Sequence, residues 1–290
     1  MYTKNKIAFI ETPLQCFFLK NLYVNPNSIE IYIVKRKKWP NDINAFENYL
    51  LNYKTKTCNV FRVFIIFFLK KKKFNEIIIG SHLGLLNKSI IILSLILNYN
   101  VKVLDDGLYS IFNQKWMNFV SEFFKKLVWI SYYNKNLKKK YIINYCITSA
   151  EQVYTFENAC ILVLTDLKGC NISENEEFEI INKITDFAKE NEMKLYFFPH
   201  RRGRYELYKK MKLDISKFDD ICFEDWYLKC KFKDNCRIFA TGSSIWQVFE
   251  NKKVNTTLID LGVKKDNWIK DTKLVDQVLY LGNIKKKFNS

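Results

Sequence analysis

Four polar clusters carry the residue types that acid–base and phosphate chemistry require, and each follows a run of apolar residues. Asp105-Asp106-Gly107 follows residues 101–104, and Thr165-Asp166 follows residues 161–164. Pro199-His200-Arg201-Arg202 follows residues 195–198, and Thr241-Gly242-Ser243-Ser244 follows residues 238–240. Small and hydroxyl residues ahead of a helix offer backbone N–H groups and a positive dipole end to a phosphate. His200 can donate to a phosphate oxygen, and Arg201 or Arg202 can pair with an anion. Asp166 can take a proton from a hydroxyl. A base, an acid and a phosphate cradle are what sugar transfer from a nucleotide with inversion needs. Leaving-group charge is stabilised on one side while a deprotonated nucleophile forms on the other.

Each cluster also has a structural reading. Acidic residues and Gly after a strand are common turn formers, which covers Asp105-Asp106-Gly107 taken alone. Thr241-Gly242-Ser243-Ser244 can serve as a helix cap, ahead of the helical pattern at 245–250. His200 is one of two histidines in the chain and stands beside two arginines. His82, after Gly80-Ser81, reads as structure or as a substrate contact.

The elements that must hold these clusters are legible as apolar runs bounded by polar or turn residues. Strands are expected at 7–10, 29–34, 76–80, 101–104, 159–164, 194–198 and 237–241, most followed by a helix-length stretch. The clearest helix spans 174–192, where Phe178, Ile181, Ile184, Phe187 and Ala188 recur at helical spacing. Strands alternating with helices imply an α/β protein with doubly wound parallel sheets. The scarcity of Gly (8) and Pro (4) agrees with helices on short connections. The 290 residues suit two Rossmann-like domains, 1–145 and 146–290, with the break between 132 and 155. Two such domains facing each other leave a cleft at the carboxyl ends of both sheets, where all four clusters would converge. The Phe-rich stretch 60–69 is expected to be a buried helix or strand, with an interface as the second reading.

Composition narrows the classes. With 48% apolar residues a large core is available. A net charge of +17 draws the surface to polyanions, whether nucleic acid, anionic lipid or phosphorylated glycolipid. No zinc-finger, RNA-recognition or helix-turn-helix pattern accompanies the lysine runs, and an anionic membrane face suits them at least as well. The eight cysteines form no C-x-x-C pair, so a zinc site or disulfide framework is not expected. No signal-peptide pattern opens the sequence and no apolar run is long enough to span a bilayer, so a cytoplasmic protein is expected.

The motifs VLDDGLYSI, FFPHRRGRYEL and FATGSSIW, in that order and each after a strand, resemble those of the bacterial lipooligosaccharide sialyltransferase family. They are similar, more distantly, to those of bacterial polysialyltransferases and other CMP-sialic acid enzymes of glycosyltransferase-B fold. IETPLQ resembles the family's first strand and turn, ILVLTD the strand bearing its catalytic Asp, and ICFEDWYL a segment between the His and Ser motifs. The resemblance implies two Rossmann-like domains across a cleft, the first on the acceptor side and the second binding CMP. It implies a metal-independent, inverting sialyltransferase without a cofactor. That enzyme would move sialic acid from CMP-sialic acid to a galactose-type terminus of a lipooligosaccharide or capsular glycan. It would work in the cytoplasm or peripherally at the anionic inner membrane, and a homodimer is compatible with it.

Carried over residue by residue, the resemblance makes Asp166 the general base and His200 the general acid or electrostatic partner of the departing phosphate. Ser243 and Ser244 would bind that phosphate, with Gly242 allowing close approach. Glu224 would hold the ribose hydroxyls, with Asp225 beside it. Asp105, Asp106 and Gly107 would shape the acceptor side, and Asp105 or Asp106 is the rival base. Pro199 precedes His200 as in the lipooligosaccharide enzymes, whereas Arg201 replaces the usual following Pro and bears on donor choice. Two alternatives stand beside this reading. One is the same fold with a UDP-hexose, another CMP-nonulosonic acid or CMP-Kdo; the other is a non-catalytic nucleic-acid-binding protein.

Overall fold

The computed structural model describes residues 5–23, 25–35, 46, 49–70, 73–81, 84–104, 114–131, 142–144, 154–200, 202–214, 222–242, 246, 254–262 and 276–280. The chain divides into two compact units, Met1–Thr148 with Asp220–Cys222, and Ser149–Asp219 with Phe223–Ser290.

The first unit opens with β1 (Asn5–Ile10), which runs into α1 (Pro13–Leu22) through a reciprocal cap. The Thr12 hydroxyl accepts the Gln15 N–H at 3.3 Å, and Gln15 Oε1 accepts the N–H of Thr12 at 3.2 Å and of Glu11 at 2.6 Å. β2 (Ile29–Lys35) and β3 (Thr55–Asn59) follow, then α2 (Val60–Lys70), β4 (Phe74–Ile79), α3 (Leu85–Ile96), β5 (Asn100–Leu104), α4 (Gln114–Phe123), β6 (Leu127–Ser131) and β7 (Ile142–Asn144). Among the described residues the sheet has seven strands in the order β3-β2-β1-β4-β5-β6-β7, and every pairing is parallel. Helices cover both faces of such a sheet, and its central strands carry continuous apolar stretches at 7–10 of β1 and 77–79 of β4. On one face, Val63 and Phe67 of α2, Ile91 and Leu95 of α3 and Met117 of α4 pack against Phe9, Ile79 and Val103. Each such side chain contributes about 1.5–3 kcal/mol by leaving water.

Residues 60–69 correct the expectation of a wholly buried element. They form helix α2, which buries only Val63 and Phe67 and exposes Phe61, Ile65, Phe68 and Leu69. A glutamate clamp holds its end. Lys70 Nζ lies 2.6 and 2.7 Å from the two Glu30 oxygens on β2, and Lys56 Nζ of β3 and the Tyr32 hydroxyl donate to the same carboxylate at 3.1 and 2.7 Å.

The second unit holds β8 (Tyr154–Phe156), β9 (Ala159–Val163), α5 (Glu174–Glu190), β10 (Lys194–Phe198), α6 (Tyr205–Lys210), α7 (Phe223–Leu228), β11 (Cys230–Phe232), β12 (Arg237–Thr241), β13 (Asn255–Asp260) and β14 (Gln277–Tyr280). Its main sheet runs β10-β9-β12-β13-β14, all parallel, and β8 pairs with β11 apart from it. β9 is buried at every position and forms the floor of the core. α5 starts at a Ser173 cap reciprocated by Glu176 and lays Ile180, Ile181, Ile184 and Ala188 on the sheet. Both units are therefore α/β with parallel sheets, and the predicted strands and the helix at 174–190 lie where periodicity put them. The helical pattern at 245–250 falls outside the described residues except for Trp246.

Candidate functional site

In an open parallel sheet, ligands bind outside the carboxyl ends of the strands, where the strand order reverses. In the second unit that point lies between β9 and β12, because β10 adds on one side of β9 and β12 on the other. A side chain crosses it: Thr241 Oγ1, at the end of β12, accepts the backbone N–H of Thr165 at 2.6 Å. Asp166 and Gly242 are the next residues on the two strand ends.

Asp166 turns over the short loop that follows β9. Its Oδ1 accepts the Gly169 N–H at 2.9 Å, and a Cβ at position 169 would stand 2.7 Å from its Oδ2. Oδ2 meets Arg202 Nη1 at 3.4 Å. Arg202 belongs to the segment after β10, the strand adjacent to β9, and its backbone N–H donates to His200 Nδ1 at 3.2 Å. With Nδ1 accepting, the neutral imidazole carries its proton on Nε2. Asp166 and His200 are thus joined through a single residue, Arg202. Both carboxylate oxygens already have a protein partner, yet each retains a further lone pair.

The segment 199–204 is held at its far end by a buried pair. The Arg204 guanidinium meets Glu177 of α5 and also donates to the Ile172 carbonyl at 2.6 Å, while the Tyr208 hydroxyl donates to the other Glu177 oxygen. Glu177 is 1% exposed, so its charge depends on these donors. Burial first, then the Glu177 contact, pushes the Tyr208 phenol far above its ordinary value. Gly203 is required within the bend. Its N–H reaches the His200 carbonyl at 2.7 Å, and a Cβ there would lie 2.5 Å from the Tyr208 hydroxyl.

α7 positions Glu224 and Asp225 against the same strand. Phe198, the last residue of β10, meets Trp226 at 4.5 Å in a tilted contact and Phe223 at 5.0 Å edge-to-face, between ring centroids. Both acidic residues are buried, and Asp225 pairs with Lys229, just beyond the helix, at 3.0 Å. At the end of β12 the buried Trp246 donates through Nε1 to the Thr241 carbonyl at 3.0 Å.

The structure therefore brings Asp166, Pro199, His200 and Gly242 to one end of one sheet, with Glu224 and Asp225 on the helix packed beside it. Arg201, Ser243, Ser244, Asp105, Asp106, Gly107 and His82 lie outside the described residues. Sequence reasoning missed Asp260, a buried carboxylate ending β13, because the strand before it opens on Asn-Thr-Thr. It also gave no role to Glu11 at the first unit's own reversal point, between β1 and β4. Glu11 is buried there and accepts the Asn87 side-chain amide at 3.0 Å. An acid directly after the first apolar run, at the start of ETPLQ, was the available signal.

Among the described residues, the buried thiols Cys58 and Cys160 are poor candidates for nucleophiles. None of the seven described cysteines is in a disulfide. Burial pushes Cys160 up to about 12 and Cys58 up to about 11, with Arg237 and Arg62 respectively opposing weakly. Among the described residues no group of three or more His, Cys, Asp or Glu could hold a metal ion. No helix among them is long and apolar enough to cross a membrane. No protein-family model matches the chain, and no curated protein matches it.

Proposed function

We propose that the chain is an inverting glycosyltransferase whose donor is CMP-sialic acid. What carries this reading is the Asp166–Arg202–His200 linkage across the carboxyl ends of β9 and β10, beside the reversal point of the second sheet. It sets a proton acceptor and a proton donor at the ends of adjacent strands with a cation between them. On this reading the acceptor hydroxyl oxygen attacks the anomeric carbon and passes its proton to Asp166. The bond from that carbon to the phosphate oxygen breaks, and CMP leaves with the electron pair. His200, through Nε2–H, and Arg202 meet the phosphate charge as it develops.

The rest of the donor site follows the resemblance set out above. Gly242, Ser243 and Ser244 would cradle the phosphate, Pro199 and Arg201 would line it, and Glu224 with Asp225 would lie toward the ribose. In a glycosyltransferase-B arrangement the first unit supplies the acceptor side, with Asp105, Asp106 and Gly107. The acceptor is a galactose-ended lipooligosaccharide or capsular glycan, and the enzyme works from the cytoplasm.

Incubation with CMP-sialic acid and lactose-type acceptors is expected to give transfer. Asp166→Asn and His200→Ala are each expected to lower kcat by about 10²–10⁴ without loss of fold. Undiminished transfer by both variants overturns the assignment. Arg201, in place of the family's usual Pro, favours a second reading with a different donor: a UDP-hexose, another CMP-nonulosonic acid or CMP-Kdo. Thermal shift against CMP, UDP and GDP separates the nucleotides, since a ligand of the native state raises its melting temperature.

A further inference from the structure

Charge is divided unequally between the two units. The first holds 23 Lys and Arg against 9 Asp and Glu, a balance of +14; the second holds 24 against 21, a balance of +3. Nearly all of the excess basicity therefore belongs to one compact body.

That body also shows apolar side chains to water. The residues α2 exposes, Phe61, Arg62, Ile65, Phe68 and Leu69, fall within an arc of ~120° at 100° per residue, and four of the five are large and apolar. Phe61 is 83% exposed and Leu69 77%. The opposite side of the helix, with Val63 and Phe67, already covers the sheet, so folding of this unit does not use the outer arc.

The neighbouring helices extend the patch. Phe67 meets Tyr99, just beyond α3, at 6.3 Å between ring centroids, and Lys126 Nζ reaches the Asn98 carbonyl at 3.1 Å. The C-terminal ends of α2, α3 and α4 are thereby side by side. α3 and the residue that caps it expose Ile96 and Leu97 there, and α4 exposes Phe119 and Phe123. Lys73, Lys125 and Lys126 are exposed around these ends, at the negative ends of the helix dipoles. The three helices contain one acidic residue between them, Glu122.

We propose that the outer face of α2, with the adjoining ends of α3 and α4, docks on an anionic lipid bilayer. The aromatic and aliphatic side chains enter the headgroup boundary, and the surrounding lysines and arginine meet lipid phosphate. A second copy of the chain is disfavoured as the occupant because it would bring another +14 body against this one. A nucleic acid backbone would use the cations but leave the Phe and Leu side chains in water. This inference rests on the helical layer of the first unit alone and is independent of the glycosyl-transfer reading.

Flotation of the full chain with vesicles of phosphatidylcholine, or of an equimolar mixture with phosphatidylglycerol, tests it. Binding is expected to the anionic vesicles, with little to the neutral ones, and to weaken sharply at ~1 M salt, where screening acts within about 3 Å. Phe61→Ser with Leu69→Ser is expected to weaken binding about tenfold or more, with the circular dichroism melt unchanged. Lys73→Glu with Lys125→Glu, which leaves the apolar arc intact, is expected to lose binding to anionic vesicles severalfold and serves if the first variant melts lower. Failure to float with anionic vesicles, or binding undiminished in both variants, overturns the proposal. So does a concentration-dependent dimer, or a tight complex with a duplex oligonucleotide, formed by protein that does not bind vesicles.

Discussion

Two arginines two positions apart hold the same segment in different ways. Arg202 is partly exposed, and an ion pair of that kind contributes about 0–1 kcal/mol to stability. Arg204 satisfies a carboxylate that has almost no access to water, and removing such a partner costs about 3–5 kcal/mol. Arg202→Ala is therefore expected to leave the urea midpoint nearly unchanged while lowering transfer about 10–100-fold, through loss of orientation at Asp166 and His200. Arg204→Ala is expected to shift the midpoint strongly. Equal effects of both variants on stability would contradict this division of roles. The sequence shows a basic cluster after His200, and chemistry alone assigns either Arg201 or Arg202 to an anion. What it cannot show is which guanidinium turns back onto Asp166, because that depends on a bend closed by Gly203 and Tyr208.

Among the elements, α2 depends on a single glutamate at its end. Burial alone would raise the Glu30 carboxyl, but hydrogen bonds from Lys70, Tyr32 and Lys56 outweigh it and bring the group from an ordinary 4.5 down to about 2. A carboxyl lowered on folding stabilises the native state above its unfolded value, and that contribution is lost as pH falls from about 4.5 to about 2. Glu30→Gln is expected to cost ~1–2 kcal/mol at neutral pH, since solvent partly screens the lysine partners, with variant and parent converging in urea titrations as pH approaches about 2. Strands such as β1, β9 and β10 were legible because their apolar runs are continuous, as strands covered on both faces must be. β13 was not. It buries Thr256 and Thr257, with Thr256 donating its N–H and its hydroxyl to Asp276 Oδ2 at 2.6 and 3.0 Å, a partner 20 residues away. β3 escaped for the opposite reason: it is an exposed edge strand whose Lys56 and threonines show no apolar alternation. α2 was legible as an apolar segment but not as a half-exposed one, since its outer arc is as hydrophobic as its inner one.

For the whole molecule, two self-contained cores and a lopsided charge have separate consequences. The excess positive charge belongs to one body, and the Asp166–Arg202–His200 linkage belongs to the other, nearly balanced one. Each core also contains its own chemical clock. Cys58 sits in the first and Cys160 in the second, each too buried and too weakly acidic to form thiolate near neutral pH. A slow alkylating reagent is expected to mark partly exposed Cys170 in the folded protein and to reach Cys58 or Cys160 only when the surrounding body opens. Peptide mass spectrometry across a denaturant series would then time the opening of each body separately within one unbroken chain. Labelling of both buried thiols at the Cys170 rate in native buffer would contradict the packing that encloses them.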